Sequence, residues 1–166
     1  MGKVMKSKHS RASVMQTTKA TLEDIPQLCQ LLNSLFEQEI EFTPDEEAQI
    51  RGLKAIMSNS EIGHILVIKK ENIVLGMVNL LYTISTALGA KVGILEDMVI
   101  LKSCRSQGIG SELIVFAIEF AKENGCKRLT LLTDVDNISA HQLYTTKGFC
   151  RSSMIPFRMT LNNFTF

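Results

Sequence analysis

The chain runs to 166 residues, 45% hydrophobic and 21% charged, with 18 basic against 17 acidic side chains and a formal net charge of +1. A chain of this length and apolar content buries a core of its own without disulfides or a structural metal, and it lies outside the compositions of disordered or collagen-like sequences. Its longest uninterrupted apolar run, Leu113 to Ile118, is six residues, against the roughly 18 that a bilayer span requires, so no membrane partner is expected.

Charge is unevenly placed. Lys3, Lys6, Lys8 and Arg11 stand in the first 14 residues with no acid, leaving 14 basic against 17 acidic groups beyond them. Residues 1–14 therefore read as a flexible basic tail and residues 15–166 as the folded domain, whose charge balance is not that of a nucleic-acid binder. No two of Cys29, Cys104, Cys126 and Cys150 stand two to four residues apart, and His9, His64 and His141 are equally dispersed. No metal site is expected, and cysteines used in this way fit a reducing, cytoplasmic compartment.

Taken in chain order, the pattern predicts an early strand around Val14 to Ala20. The helix-start signal Thr21-Leu22-Glu23-Asp24 comes next, with Pro26 in the first turn. Leu28, Leu31, Leu32, Leu35 and Phe36 recur at three- and four-residue steps and carry that helix to about Glu39. Thr43-Pro44-Asp45-Glu46 starts a second helix, with Ile50, Leu53 and Ile56 on its apolar face, which stops at Ser58-Asn59-Ser60. From His64 the period becomes that of strands: Ile65 to Ile68, a polar turn at Lys70-Glu71-Asn72, and Ile73 to Tyr82 make a hairpin. A third, nearly continuous apolar strand from Val92 to Ile100 is interrupted by Glu96 and Asp97. Beyond it lie a glycine-rich turn and a helix from Ser111 to Asn124, then a buried strand at Leu129 to Leu132 and a short helix from Ser139 to Lys147 ending at Gly148. A strand from Phe149 and another from Met154 to Leu161 complete an α+β order with a mixed, partly antiparallel sheet of six or seven strands.

Chemistry concentrates in Arg105-Ser106-Gln107-Gly108-Ile109-Gly110-Ser111, between a buried strand and a helix. Glycine lets the backbone approach a ligand closely, and the first helical amides present free N–H groups backed by the helix dipole, an arrangement suited to a pyrophosphate. A dinucleotide fingerprint would need a small residue where Leu113 stands, and the Gly-Lys-Ser/Thr of a nucleotide-triphosphate loop is absent. Arg105-x-x-Gly108-x-Gly110, followed by Asn137-x-x-Ala140-x-x-x-Tyr144-x-x-x-Gly148-Phe149, resembles the coenzyme A signature of the GNAT superfamily of acetyl-CoA-dependent N-acetyltransferases. Leu95-Glu96-Asp97 ahead of the turn is similar to branches that acetylate small amines, including diamine acetyltransferases.

That resemblance implies a single domain whose central parallel strands splay to hold acetyl-CoA. Main-chain groups of Met98, Val99 and Ile100 would pair with pantetheine, and the amides of Ser106, Gln107, Gly108, Ile109, Gly110 and Ser111 would take the pyrophosphate. Arg105 adds charge there or is a solvated loop cation; Asn137 bonds pantetheine, caps the helix that includes Ala140, or does both. Acetyl transfer to an amine needs a base, an oxyanion donor and an acid for the leaving thiolate. The resemblance points to Glu96 as the base, the Met98 amide as the oxyanion donor and Tyr144 as the acid. The alternatives are a structural carboxylate at Glu96 and a packed aromatic at Tyr144. Asp97, one residue on, faces away from Glu96 unless a bulge intervenes. His141 and Cys104 read as bystanders.

The acceptor wall falls on Leu32 to Glu47 and Tyr82 to Gly89, with Phe36, Glu37, Glu39, Tyr82 and Glu96 as candidate contacts. Glu37, Glu39, Glu41, Asp45, Glu46 and Glu47 form an acidic run that either is simply solvated or draws polycationic amines to the cleft. The expected activity is transfer of acetyl from acetyl-CoA to a small primary amine in a ternary complex. A protein or peptide acceptor and a non-catalytic acetyl-CoA sensor are the alternatives, and relatives of this kind commonly form homodimers.

Overall fold

A computed structural model describes residues 14–38 and 44–161, so residues 1–13 of the expected basic tail, Glu39 and Glu41 lie outside the described residues. Residues as far as Leu132 make one compact unit, and those from Thr133 make a second.

The first unit contains strands β1 (Met15–Lys19), β2 (Gly63–Lys70), β3 (Ile73–Ser85), β4 (Ala90–Ile100) and β5 (Leu129–Leu131), and helices α1 (Ile25–Phe36), α2 (Glu46–Ser58) and α3 (Ile109–Glu123). The five strands form one sheet in sequence order. Antiparallel pairing joins β1 to β4, and β5 adds in parallel beside β4.

Alternation divides the sheet's side chains between two cores. Ile65, Val67, Met77 and Val99 point to the face covered by α1 and α2, where they join Leu28, Leu31, Leu32 and Leu53. The intervening Leu66, Ile68, Val78 and Leu80 are equally buried. They face α3, which packs on β2, β3 and β4 and contributes the fully buried Leu113, Ile114, Ala117 and Ala121.

The first helix starts later than its capping signal suggests, because Leu22–Asp24 tighten into a 3-10 turn. Asp24 explains the tightening. Its Oδ2 accepts the Thr21 N–H at 2.8 Å, and both its oxygens accept Lys69 Nζ from β2 at 2.7 Å. Burial alone would raise the Asp24 carboxyl, but the Lys69 and Thr21 hydrogen bonds outweigh it and hold the group below its ordinary value.

In the second unit, α4 (Ile138–Thr146) is capped by Asn137, whose Oδ1 accepts the Ala140 N–H at 3.2 Å. It ends at Gly148, with φ +90°. There the Phe149 N–H bonds the Tyr144 carbonyl and the Gly148 N–H bonds that of Thr145, each at 3.1 Å, a closure that needs the left-handed backbone glycine supplies. The strands expected from Phe149 and over Met154 to Leu161 do not form among the described residues, so the sheet has five strands rather than six or seven. Met154, Ile155 and Phe157 are 80%, 73% and 89% exposed, and Pro156 has no N–H to give a ladder. Apolar alternation anticipates a strand's faces but supplies no partner for its main chain.

Candidate functional site

β4 ends where the Leu101 N–H bonds the Leu75 carbonyl at 2.8 Å. A 3-10 turn, Lys102–Cys104, then leads to Ser106 and Gly108, at φ +60° and +81°. α3 begins at Ile109, two residues earlier than its pattern suggests, and its first bond runs from the Glu112 N–H to the Gly108 carbonyl at 3.0 Å. The amides of Ile109, Gly110 and Ser111 thus precede the intrahelical ladder, at the positive end of a 15-residue helix. Ser106 and Gly108 ahead of them have left-handed backbone, as turns that bind anions through main-chain N–H groups often do. A Cβ built on Gly108 would meet no atom within 4 Å, so the space before the turn is open to a ligand. These are the residues expected to take a pyrophosphate.

Arg105 has partners within the protein. Its Nε donates to the Ile100 carbonyl at 3.1 Å and its Nη1 to Gln38 Oε1 at 3.3 Å, so it ties the end of β4 to the residues after α1. Gln107 Nε2 braces the turn by donating to the Ser103 carbonyl at 3.0 Å.

The parallel ladder between β4 and β5 covers only Gly93, Ile94 and Leu95, opposite Leu129, Thr130 and Leu131. β4 continues for five more residues, through Met98, Val99 and Ile100, where the strands were expected to splay. On its other side Met77 pairs with Val99 and Asn79 with Glu96, so three residue steps on β4 oppose two on β3. This is a β-bulge, and Asp97 sits in it with φ +52°. Strict alternation, which would separate the side chains of Glu96 and Asp97, fails here. Glu96 is exposed. Asp97 turns to the α1/α2 face, where its Oδ2 accepts Asn79 Nδ2 at 2.6 Å.

Asp97 and Asn79 line a cavity of about 300 Å³ whose apolar walls are Leu32, Phe36, Leu53 and Ile56. Asp45 and Gln49 of the second-helix region complete its polar lining. Asp45 also caps α2, its Oδ1 accepting the Ala48 N–H at 3.0 Å. Gln49 Nε2 donates to Asn33 Oδ1 at 2.8 Å. Gln49 Oε1 and Asn79 Oδ1 remain buried without a donor among the described residues. Burial, and then the nearby Glu96 carboxylate, push Asp97 up to about 6, although the Asn79 hydrogen bond opposes the shift.

Of the residues anticipated at the acceptor wall, Phe36 lines this cavity, and Glu37 is an exposed residue closing α1. Tyr82 lies on the other face of the sheet: its ring meets His64 at 5.8 Å, and His64 in turn meets Phe120 of α3 at 5.0 Å. Burial pushes the Tyr82 phenol up to about 12. In the second unit, the Tyr144 ring meets Phe149 at 5.9 Å, and burial raises its phenol above the ordinary value. His141 Nε2 is 2.8 Å from the Asp134 carbonyl, a local contact consistent with a structural residue.

Asn79 and Gln49 were absent from the sequence-based candidates. Their signal was available: Asn79 is the one polar side chain within Ile73 to Tyr82, and Gln49 falls on the helical stripe of Leu53 and Ile56. A polar group in an apolar stripe is expensive to bury unless something pairs with it.

Comparison with known proteins agrees with this geometry. The chain is 26% identical over 157 residues, 95% of its length and 97% of the relative's, to the aminoalkylphosphonate N-acetyltransferase of Salmonella typhimurium. It is 32% identical to the uncharacterized N-acetyltransferase YhfO of Bacillus subtilis over 118 residues, 69% of this chain and 78% of that one. A solved structure described as a transcriptional regulator from Bacillus halodurans superposes with a TM-score of 0.76 at 25% identity, covering 89% of this chain and all of that one. With a helix-capped turn after a bulged strand, these relatives, and residues 25–149 matching the model of the acetyltransferase (GNAT) family, the chain belongs to that family and is an acyltransferase.

Proposed function

We propose that the protein transfers an acetyl group from acetyl-CoA, the co-substrate of its family, to the primary amine of a small acceptor by direct attack in a ternary complex. The observation that supports this reading is the bulge in β4, with two carboxylates on the strand that leads into a turn at the start of α3. The amides of the Ser106 to Ser111 segment would hold the pyrophosphate, and the main chain of β4 beyond Leu95 would orient the acyl arm. Glu96, exposed at the bulge, receives the proton of the acceptor's ammonium through water. The free amine then forms its bond to the acyl carbon as the bond to sulfur breaks. Tyr144 gives its proton to the departing thiolate, and the second proton of the attacking nitrogen passes to the phenolate through water as the amide forms, a role that rests on the family motif and on a phenol kept protonated by burial. A cavity of about 300 Å³ suits a small acceptor.

The test is free-thiol release from acetyl-CoA with a panel of small amines, aminoglycosides, amino acids and peptides. Turnover is expected with a small amine. Turnover confined to peptides would assign a protein acceptor, and coenzyme A binding by calorimetry with no turnover on any amine would make the chain a binding module.

A further inference from the structure

We propose that the cavity beneath the β4 bulge is a subsite for a second, non-reacting ammonium of the acceptor, held by Asp97 together with Asn79 and Gln49. The acceptor is then a short alkyl diamine or polyamine rather than an amine bearing a phosphonate or carboxylate. The inference deepens the acetyl-transfer reading and rests on it for its kinetic readout.

Three observations converge. The cavity's polar lining holds one carboxylate and two amide oxygens that can accept further hydrogen bonds. Asp97 is a carboxylate that receives one hydrogen bond, from Asn79. Asn79 and Gln49 are 4% and 7% exposed, and each has a buried amide oxygen without a donor. An ammonium carries three N–H donors and one positive charge, which matches one carboxylate and two amide oxygens. Water could satisfy either oxygen but would bring no charge to compensate the half-buried carboxylate.

The lining also excludes anions. Among the described residues around the cavity none is basic, and Asp45 adds a second acid. A phosphonate brought here would meet carboxylates and amide oxygens with nothing to pair it. The remaining walls, Leu32, Phe36, Leu53 and Ile56, suit methylene groups.

Position makes this ammonium the non-reacting one. Asn79 belongs to β3, one strand inward from β4 and so roughly 4.8 Å from it, whereas the edge expected to receive acetyl-CoA is the far side of β4. An acceptor that reaches both places needs a nitrogen at each end of an alkyl chain.

The test compares three acceptors of matched four-carbon length, 1,4-diaminobutane, butylamine and 4-aminobutylphosphonate, by free-thiol release. It also measures 1,4-diaminobutane binding by calorimetry without acetyl-CoA. The parent is expected to favour the diamine over butylamine by about tenfold or more in kcat/KM, and the phosphonate is expected to be the poorest acceptor. Asp97→Asn is suitable because asparagine tolerates the left-handed backbone at this position. It should bring the diamine-to-butylamine ratio to within about threefold of unity and weaken diamine binding about tenfold or more. A parent that prefers the phosphonate or shows no diamine preference overturns the subsite, as does an Asp97→Asn variant that slows both amines by one factor. Should that variant not fold, the parent's order of acceptors decides alone. Diamine binding without turnover of any acceptor would keep the subsite and remove the acetyl-transfer reading; turnover without diamine binding or preference would do the reverse.

Discussion

Asp97 combines a left-handed backbone with a half-buried carboxylate, and both have measurable effects. Its native value of about 6 exceeds the 3.8 of an unperturbed aspartate, so between these values the folded chain binds more protons than the unfolded one, and stability falls as pH rises. Asp97→Asn should therefore stabilise the ligand-free protein by about 1–3 kcal/mol at neutral pH. The gain should vanish well below pH 3.8, which urea unfolding across that range would reveal. The same titration gives the KM for a diamine a rise as pH falls below about 6, with Asp45 the other charged group of the cavity lining and Glu96 the charge that acts on Asp97 from beside it. Butylamine should lack that rise, and initial rates at saturating acetyl-CoA test both. Tyr144 calls for a different measurement. Tyr144→Phe keeps the ring against Phe149 and should lower kcat roughly 10- to 1000-fold with unchanged acetyl-CoA affinity; undiminished kcat would show the residue to be structural. At this scale the sequence was only partly informative. The two acids in a strand were conspicuous, but which one would turn into the cavity depended on a bulge that no spacing encodes.

Among the elements, the turn into α3 is the most legible, because its two glycines, the preceding apolar strand and the helical pattern all agree. Gly108→Val tests it. A Cβ there clashes with nothing, so the penalty comes from forcing a branched residue to φ +81°, about 1–2 kcal/mol, together with loss of the open approach to the helix amides. Coenzyme A affinity should fall at least tenfold by calorimetry, while thermal unfolding confirms that the variant folds. Other boundaries shifted for local reasons. Asp24 answers Thr21 and Lys69 together and so draws the first helix start into a 3-10 turn, a long-range ion pair that no local window contains. The misplaced strands after Phe149 had the right alternation, but pairing depends on a neighbouring main chain.

On the scale of the whole molecule, helices on both faces of a mixed sheet were legible because periods of 3.6 and 2 occupy separate stretches of the chain. Each face is covered by its own helical stretch, α1 and α2 on one side and α3 on the other. That division also separates Tyr82 from the cavity that Phe36 lines. Proximity in sequence to a loop does not say which side of a sheet a residue faces. Its neighbours His64 and Phe120 place it among the α3-facing residues.

The extra residue in β4 has a consequence beyond chemistry. Leu95 pairs with Leu80 and Val99 with Met77. In an unbroken strand Leu95 and Val99, four positions apart, would share a face. Leu80 and Met77, three positions apart on β3, do not. The inserted residue is a change of parity halfway along the strand: it lets one segment serve the α3 core with its first half and the α1/α2 core with its second. Removing Asp97 to restore a regular ladder would therefore expel either Leu95 or Val99, each 3% exposed, at about 2–3 kcal/mol for the lost burial of one such side chain. A single-residue deletion at 97 should lower the thermal midpoint far more than Asp97→Asn, which keeps the count. The fold cannot discard the irregularity that presents its carboxylates, because the same residue keeps its two hydrophobic interiors in step.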